Sequence, residues 1–298
     1  MPCKRRHLLY LFPLAGAICL ALLSYAYFIE PQRLVIRHET IKTNNWDAEF
    51  DGLRIAMLSD IHGGSNYMTA VRIKEIVAKT NEQEPDVIVL LGDFVSQRSG
   101  KVGSRSLKME PSEVADNLAG LKATYGVFAV MGNHDGEFGE AKVAAELTRV
   151  GYRVLQNEVA VIQKDGKKLR ILGTKDHLRF VKSWKESSAE LKQMADMSGD
   201  GKIILLQHSP DVFPIVTGEL SISPDLALFL AGHTHGGQVW LPIFGRPIVP
   251  STFGQKYAYG HVSEKDVDLF VTSGIGMSVF PIRFLVPPEI VVLTVTRN

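Results

Sequence analysis

Apolar residues gather in short runs along this chain. They are unbroken at 87–91, 127–131, 203–206 and 226–231, and interrupted only by Arg54 at 53–58. Runs of this length without alternation predict strands buried on both faces, as in a sheet covered by helices. Stretches of helical period separate them. Ala70, Ile73, Ile76 and Val77 form one stripe, predicting a helix over 68–83. Further helices are predicted at 111–123, where Pro111 suits a first turn, and at 140–150 and 184–197. Shorter strands are predicted at 34–40, 154–155, 159–163, 169–173, 238–241, 268–272 and 290–296. Asp165-Gly166 between two of them is a hairpin signal. Residues 97–108, rich in Ser, Gly and basic groups, read as an exposed loop able to cap a site. Alternating strands and helices make this an α/β chain.

One segment stands outside that pattern. Residues 8–29 carry no charge and follow Lys4-Arg5-Arg6. As a helix they would extend about 33 Å, enough for a hydrocarbon core of about 30 Å. Pro13 and Gly16 are tolerated in such a helix, and Tyr10, Tyr25 and Tyr27 lie near its ends, where interfacial aromatics belong. The reading is a signal-anchor: a basic N-terminus at 1–7, a single-pass transmembrane helix at 8–29, a lead-in at 30–49 and a catalytic domain at 50–298. A cleaved signal peptide ending near Ser24-Tyr25-Ala26 and a twin-arginine leader at Arg5-Arg6 are the competing readings. The expected location is a bacterial inner (cytoplasmic) membrane. The leading positives favour an exported domain, but Arg33, Arg37 and Lys42 weaken the asymmetry, so the side stays open.

Composition narrows the chemistry. The net charge is +1 over 298 residues, so no basic field points to nucleic acid. Both cysteines, Cys3 and Cys19, lie in the N-terminal segment, which leaves the globular part without a disulfide or thiolate metal site.

Polar clusters terminate five of the apolar runs: Asp60-Ile61-His62, Gly92-Asp93, Gly132-Asn133-His134-Asp135, His208, and Gly232-His233-Thr234-His235. Ligands in open α/β sheets bind outside the carboxyl ends of strands, so all five arrive at one edge. His233 and His235 are two apart, which puts both on one side of extended chain and suits one metal or a pair. Asp, His and Asn without Cys make a nitrogen and oxygen site that suits manganese, iron or zinc more than calcium. Two divalent ions over few carboxylates leave the excess positive charge that a phosphoryl group needs, and a metal-bound hydroxide can attack phosphorus. His134 is the candidate to protonate the leaving oxygen, with Asp135 to orient or charge it.

This series of motifs resembles the calcineurin-like metallophosphoesterases over residues 50–298. Gly232-His233-Thr234-His235-Gly236-Gly237-Gln238, the following Leu241-Pro242-Ile243-Phe244-Gly245-Arg246-Pro247, Thr272-Ser273-Gly274-Ile275-Gly276 and the anchor are similar to its membrane-associated bacterial branch, the YaeI/YkuE-like proteins. The resemblance implies a layered α/β sandwich of two mixed β-sheets flanked by helices. It implies Asp60, His62 and His235 on one metal, Asn133, His208 and His233 on the other, and Asp93 bridging. His134 becomes the general acid or transition-state stabiliser. The expected cofactors are two divalent ions, manganese first and iron or zinc as alternatives. The expected activity is hydrolysis of a phosphodiester or pyrophosphate by attack of a metal-bound hydroxide, on a phosphate ester that can be lipid-linked. Two other readings are a UDP-2,3-diacylglucosamine pyrophosphatase of lipid A biosynthesis and a non-catalytic metal-binding membrane protein.

Several residues near the motifs have two readings. Gly63-Gly64-Ser65 is either a phosphate-contacting loop or a plain one; Gly236 and Gly237 either allow a sharp exit or contact phosphate directly, and Thr234 faces away from the metals. The apolar runs at 240–244 and 280–285 are either core or a lipid-facing rim, in which Arg246 and Arg283 meet phosphate or acidic headgroups. His177 and His261 read as surface groups, and Asp176 and Arg179 carry no assignment.

Overall fold

The computed structural model describes residues 3–97, 107–176, 184–218, 221–278 and 280–298. His177, Arg179 and most of the loop at 97–108 lie outside them.

Two six-stranded sheets face each other. In the first, β1 (Val35–Thr43) lies beside β12 (Glu289–Arg297), followed by β2 (Leu53–Leu58), β3 (Val87–Leu90), β4 (Val127–Ala129) and β5 (Arg153–Val154). β2 to β5 are parallel, and β12 runs against β2. In the second, β10 (Gly260–Glu264) is followed by β11 (Val267–Val271), β9 (Leu226–Ala231), β8 (Lys202–Leu206), β7 (Lys167–Gly173) and β6 (Glu158–Lys164). Its middle four strands are parallel, with an antiparallel strand at each edge. Both sheets are therefore mixed, as expected. The β6–β7 hairpin turns at Asp165-Gly166, both with positive φ, which matches the twist of the flanking strands.

The unalternating runs are explained by burial on two sides. Ile55, Met57, Val89, Ile171, Ile204 and Leu228 fill the space between the sheets. On the outer face of the first sheet, Ala56, Leu58, Ile88 and Leu90 pack under α2 (Ala70–Asn81), α3 (Pro111–Leu118) and α5 (Glu140–Arg149). On the outer face of the second, Leu205, Phe229 and Leu269 pack under α6 (Trp184–Met197) and the short α7 (Phe213–Val216). The order is helix, sheet, sheet, helix, and each fully buried Leu, Ile or Phe contributes about 1.5–3 kcal/mol.

Three differences from the sequence reading stand out. The lead-in is part of the fold, because β1 pairs with β12 along its whole length. Residues 238–241 are not a strand: Gln238 has φ 56°, and isolated bridges, Val239 with Phe284 and Leu241 with Gly245, form there. β10 escaped notice because Val262 is its one large apolar residue. At the N-terminus, α1 (Cys3–Ser24) passes into a π-helical turn, Tyr25–Ile29, and a 3-10 turn, Glu30–Gln32. The helical stretch Phe12–Gln32 is long and apolar enough to cross a membrane, and Phe12, Leu14, Leu20, Leu23 and Phe28 are exposed along it.

Candidate metal centre

The candidate ligands stand on loops that leave the carboxyl ends of strands in both sheets. Asp60 and His62 follow β2, Asp93 follows β3, and Asn133 opens the short α4 (Asn133–Phe138) after β4. His208 follows β8, and His233 and His235 follow β9. Five of the seven have left-handed backbones: Asp60 (φ 55°), His62 (46°), Asp93 (57°), His233 (68°) and His235 (50°). A non-glycine residue there costs about 1–3 kcal/mol, and such strain gathers where geometry serves function. The backbones also approach closely. A Cβ on Gly132 would lie 2.2 Å from Asp93 Oδ1, and one on Gly232 would lie 1.9 Å from Ser59 Oγ.

The side chains converge into three linked groups, Asp60–His62–His235, Asp93–His208–His233 and His62–Asp93–His134, each with ligand atoms within 4.8 Å of one another. His62 Nε2 and His235 Nε2 lie 3.2 Å apart, and His235 Nε2 is 3.4 Å from Asp60 Oδ1. In the second group His233 Nδ1 is 3.1 Å from His208 Nε2. One oxygen joins the groups: Asp93 Oδ2 lies 3.6 Å from His62 Nε2 and 3.2 Å from His208 Nε2. The other oxygen, Oδ1, accepts the His134 amide N–H at 2.9 Å.

The donor set fits divalent ions. Asn133 Oδ1, Asp60 Oδ1 and His235 Nδ1 are buried without a hydrogen-bond partner, where such atoms ordinarily have one. Burial pushes His62 down to about 3 and His235 well below its usual range, so both imidazoles are neutral, as a metal ligand must be. His208 behaves differently. Burial opposes its charge, but the Asp93 carboxylate outweighs it and raises His208 to about 10. Burial likewise opposes charge on Asp93, and His208 holds that carboxyl well below the usual range. His208 Nδ1 donates to the Leu91 carbonyl at 2.7 Å, which aims Nε2 at the cluster.

Asp135 has another task than the one expected. Its Oδ2 accepts the N–H groups of Asp93 (2.8 Å) and Gly132 (2.9 Å), and its Oδ1 accepts those of Phe94 and Val95. The carboxylate nearest the His134 ring is that of Glu137, at 3.6 Å from Nδ1, while Ser278 Oγ lies 3.5 Å from Nε2. The i, i+3 spacing on α4 was the available signal for Glu137; nothing local marked Ser278. Gln238 was also missed. Its side chain accepts the Ser278 N–H and donates to the Phe280 and Ile282 carbonyls, tying these three residues to the loop after β9.

Other residues resolve their two readings. The Gly63, Gly64 and Ser65 amides donate to Phe94, Met68 and His62 carbonyls, so this loop does not offer them to phosphate. Thr234 is buried and donates to the Ala258 carbonyl, away from the cluster. Arg283 reaches neither phosphate nor headgroups: it is fully buried and donates to the carbonyls of Ser273, Gly274, Gly276 and Val286. Arg246 sits 4.8 Å over the Tyr259 ring. His261 pairs with Asp268 at 2.7 Å, and Asp176 is buried where its charge adds to the field on His208. A cavity of about 640 Å³ opens over the cluster, with Asp93, Asn133 and His134 on its floor and Ile248, Phe280 and Ile282 on its wall.

The calcineurin-like phosphoesterase profile matches residues 53–237, more than half of the chain. The metallophosphoesterase YkuE of Bacillus subtilis, itself uncharacterised, is 32% identical over 273 residues, covering 91% of this chain and 88% of that protein. The phosphodiesterase YaeI of Escherichia coli is 28% identical over 274 residues and 91% of each chain. A zebrafish (Danio rerio) transmembrane protein with a metallophosphoesterase domain is 29% identical over 80% of this chain and 52% of its own. Among solved structures, the NAD nucleotidase of Haemophilus influenzae superposes with a TM-score of 0.51 at 14% identity, over 75% of this chain and 45% of that one. A putative 5'-nucleotidase from Staphylococcus aureus gives 0.50 at 13%, over 76% and 49%. This chain spans about half the length of those two structures, and the likeness concerns the fold alone. From the profile and the two bacterial relatives we conclude that the chain belongs to the calcineurin-like phosphoesterase family, metal-dependent hydrolases of phosphoric esters.

Proposed function

We propose that this protein is a membrane-anchored phosphodiesterase or pyrophosphatase with a dinuclear centre, manganese in the first place and iron or zinc as alternatives. The observation that carries the reading is the Asp93 carboxylate shared between two ligand groups. Asp60, His62 and His235 are proposed to hold one ion, and Asn133, His208 and His233 the other, with Asp93 common to both. Two such ions polarise a phosphoryl group and lower the pKa of bound water.

The chain's own groups supply the rest. Asp93 Oδ1 fixes the His134 amide, and so the start of α4, beside the cluster. His134 is half-buried and lines the cavity beside Asp93, where its ring can reach a leaving oxygen and give it a proton. Glu137 stands 3.6 Å from its Nδ1 and Ser278 Oγ 3.5 Å from its Nε2. No lysine or arginine is among the described residues that line the cavity.

The apolar wall supports the second reading, hydrolysis of a lipid-linked pyrophosphate such as UDP-2,3-diacylglucosamine. It requires the domain on the cytoplasmic side, which topology mapping with fusion reporters tests. The primary reading is tested by assaying the purified full-length protein, stripped and reloaded with manganese, on a chromogenic phosphodiester and the matching monoester. Metal-dependent turnover of the diester is expected. A protein that binds manganese and cleaves neither ester sinks the enzymatic reading in favour of a metal-binding role.

A further inference from the structure

The apolar runs at 240–244 and 280–285, distant in sequence, form one surface. Phe284 N–H donates to the Gln238 carbonyl at 2.8 Å, and Trp240 N–H donates to the Phe284 carbonyl at 2.9 Å. A tight turn closed by reciprocal bonds between Leu241 and Gly245 then pushes Ile243 and Phe244 outward. They are 89% and 74% exposed; Trp240, Ile248, Phe280 and Leu285 are also open to solvent beside them. Water alone gives no reason to keep so many large apolar groups together on a surface.

The N-terminal helix ends against this surface. Arg283 N–H donates to the Ala26 carbonyl at 3.0 Å, Ala26 is buried there, and the rings of Tyr25 and Phe284 meet edge to face at 6.2 Å. The helix does not become polar at that point: Tyr27, Phe28 and Ile29 still follow, exposed, before Glu30. Ile29 lies four residues beyond Tyr25, further along the helix axis from the end of α1. A bilayer deep enough to cover Ile29 therefore also reaches the level of Phe284. The buried Arg283 keeps that level fixed relative to the site, because it binds the carbonyl of Gly276, whose own N–H donates to Asp60 at 2.7 Å.

We propose that the rim formed by Trp240, Ile243, Phe244 and Phe284 is seated in the bilayer that holds the N-terminal helix, so that the cavity opens at headgroup depth and takes a membrane phosphoester whose acyl chain lies along Ile248 and Phe280. The proposal rests on reading Phe12–Gln32 as a membrane anchor and on the phosphoesterase reading of the site. Its partner is the lipid phase itself, and its substrate class is a phosphoester with one long aliphatic substituent. A polar substrate would gain nothing from the wall, whereas each methylene buried there adds binding.

Two measurements test this on the full-length protein. The first reconstitutes it in phosphatidylcholine liposomes with and without bromine on the acyl chains and compares wild type with Trp240→Phe. Bromine quenching that disappears in Trp240→Phe is expected; wild-type fluorescence unchanged by bromination overturns the seating of the rim. The second, in nanodiscs, follows p-nitrophenyl alkyl phosphodiesters from methyl to hexadecyl. kcat/KM is expected to rise by about tenfold or more with chain length, and Ile248→Ser/Phe280→Ser is expected to abolish that rise. A flat series in the wild type overturns the lipid substrate while sparing the phosphoesterase reading. Failure to cleave even the methyl ester counts against the latter, and the bromine experiment still decides the former.

Discussion

Asp135 holds Asp93 by its backbone and not by its side chain: the buried carboxylate of the first accepts the amide N–H of the second at 2.8 Å. The same carboxylate holds Gly132, Phe94 and Val95, so one acidic group ties the loop after β3 to the loop after β4. Asp93 can then take its left-handed backbone, φ 57°, without drifting. Asp135→Asn turns an amide donor toward these N–H groups and leaves one or more unpaired, which costs about 1–3 kcal/mol. Thermal unfolding should show the loss, and a metal titration should show weaker binding. A stable variant with normal metal content but a kcat lowered as far as by His134→Ala would return Asp135 to the proton-transfer role.

His134 is placed for proton transfer to the leaving group. His134→Ala should lower kcat by about 10²–10⁴-fold on esters with poor leaving groups, with both metals retained. On a p-nitrophenyl ester the leaving oxygen barely needs a proton, and the loss should shrink accordingly. Equal losses across leaving groups would assign the ring to binding instead. Glu137→Gln removes the carboxylate 3.6 Å from His134 Nδ1 and should lower kcat less than His134→Ala does while sparing metal content.

The extent to which the sequence revealed the site follows from where each residue gets its position. Asp60, Asp93, Asn133, His208 and His233 come directly off the ends of β2, β3, β4, β8 and β9, so a reader who recognises the apolar runs finds them. Glu137, Ser278 and Gln238 acquire their roles through α4 and the 278–284 segment folding over the cluster, which no local pattern encodes. Val239-Trp240-Leu241 mimics a strand in composition, but left-handed backbones at Gly236, Gly237 and Gln238 turn the chain before it can extend. The rim was ambiguous for a related reason. Apolar content marks residues that avoid water, and it does not distinguish a protein core from a bilayer.

Arg283 offers a stability test separate from catalysis. It is fully buried, burial lowers it to about 10, and its guanidinium reaches several carbonyls of the 273–286 segment. An ammonium cannot span them. Arg283→Lys should therefore destabilise the protein by about 3 kcal/mol or more, read as a lower urea midpoint. It should also loosen Asp60, whose carbonyl is held by Gly276. Unchanged stability would mean that the loop carries its own fold.

Asp93→Asn tests the shared ligand. Removing the charge that faces both His62 and His208 should deplete both ions together and lower turnover by about 10³-fold or more. Loss of one ion alone, counted by elemental analysis, would mean that Asp93 serves a single site.

The two groups of ligands should differ in how their metal uptake depends on pH. His62, lowered to about 3, and His235, well below its usual range, have no proton to release at neutral pH. His208, raised to about 10 by Asp93, carries a proton in the metal-free protein up to that pH and must lose it to bind through Nε2. The sign follows. In the metal-free protein the His208–Asp93 pair stabilises the fold fully below the unfolded histidine value of about 6.5, and that contribution is lost as pH rises toward about 10. Metal affinity at the Asp93–His208–His233 group should rise by about tenfold per pH unit over the same interval, while affinity at the Asp60–His62–His235 group stays level. Calorimetric titrations in two buffers of different ionisation enthalpy would read the released proton directly. One binding phase should carry a buffer-dependent heat near one proton and the other should carry none; equal proton release in both phases would contradict the His208–Asp93 ion pair.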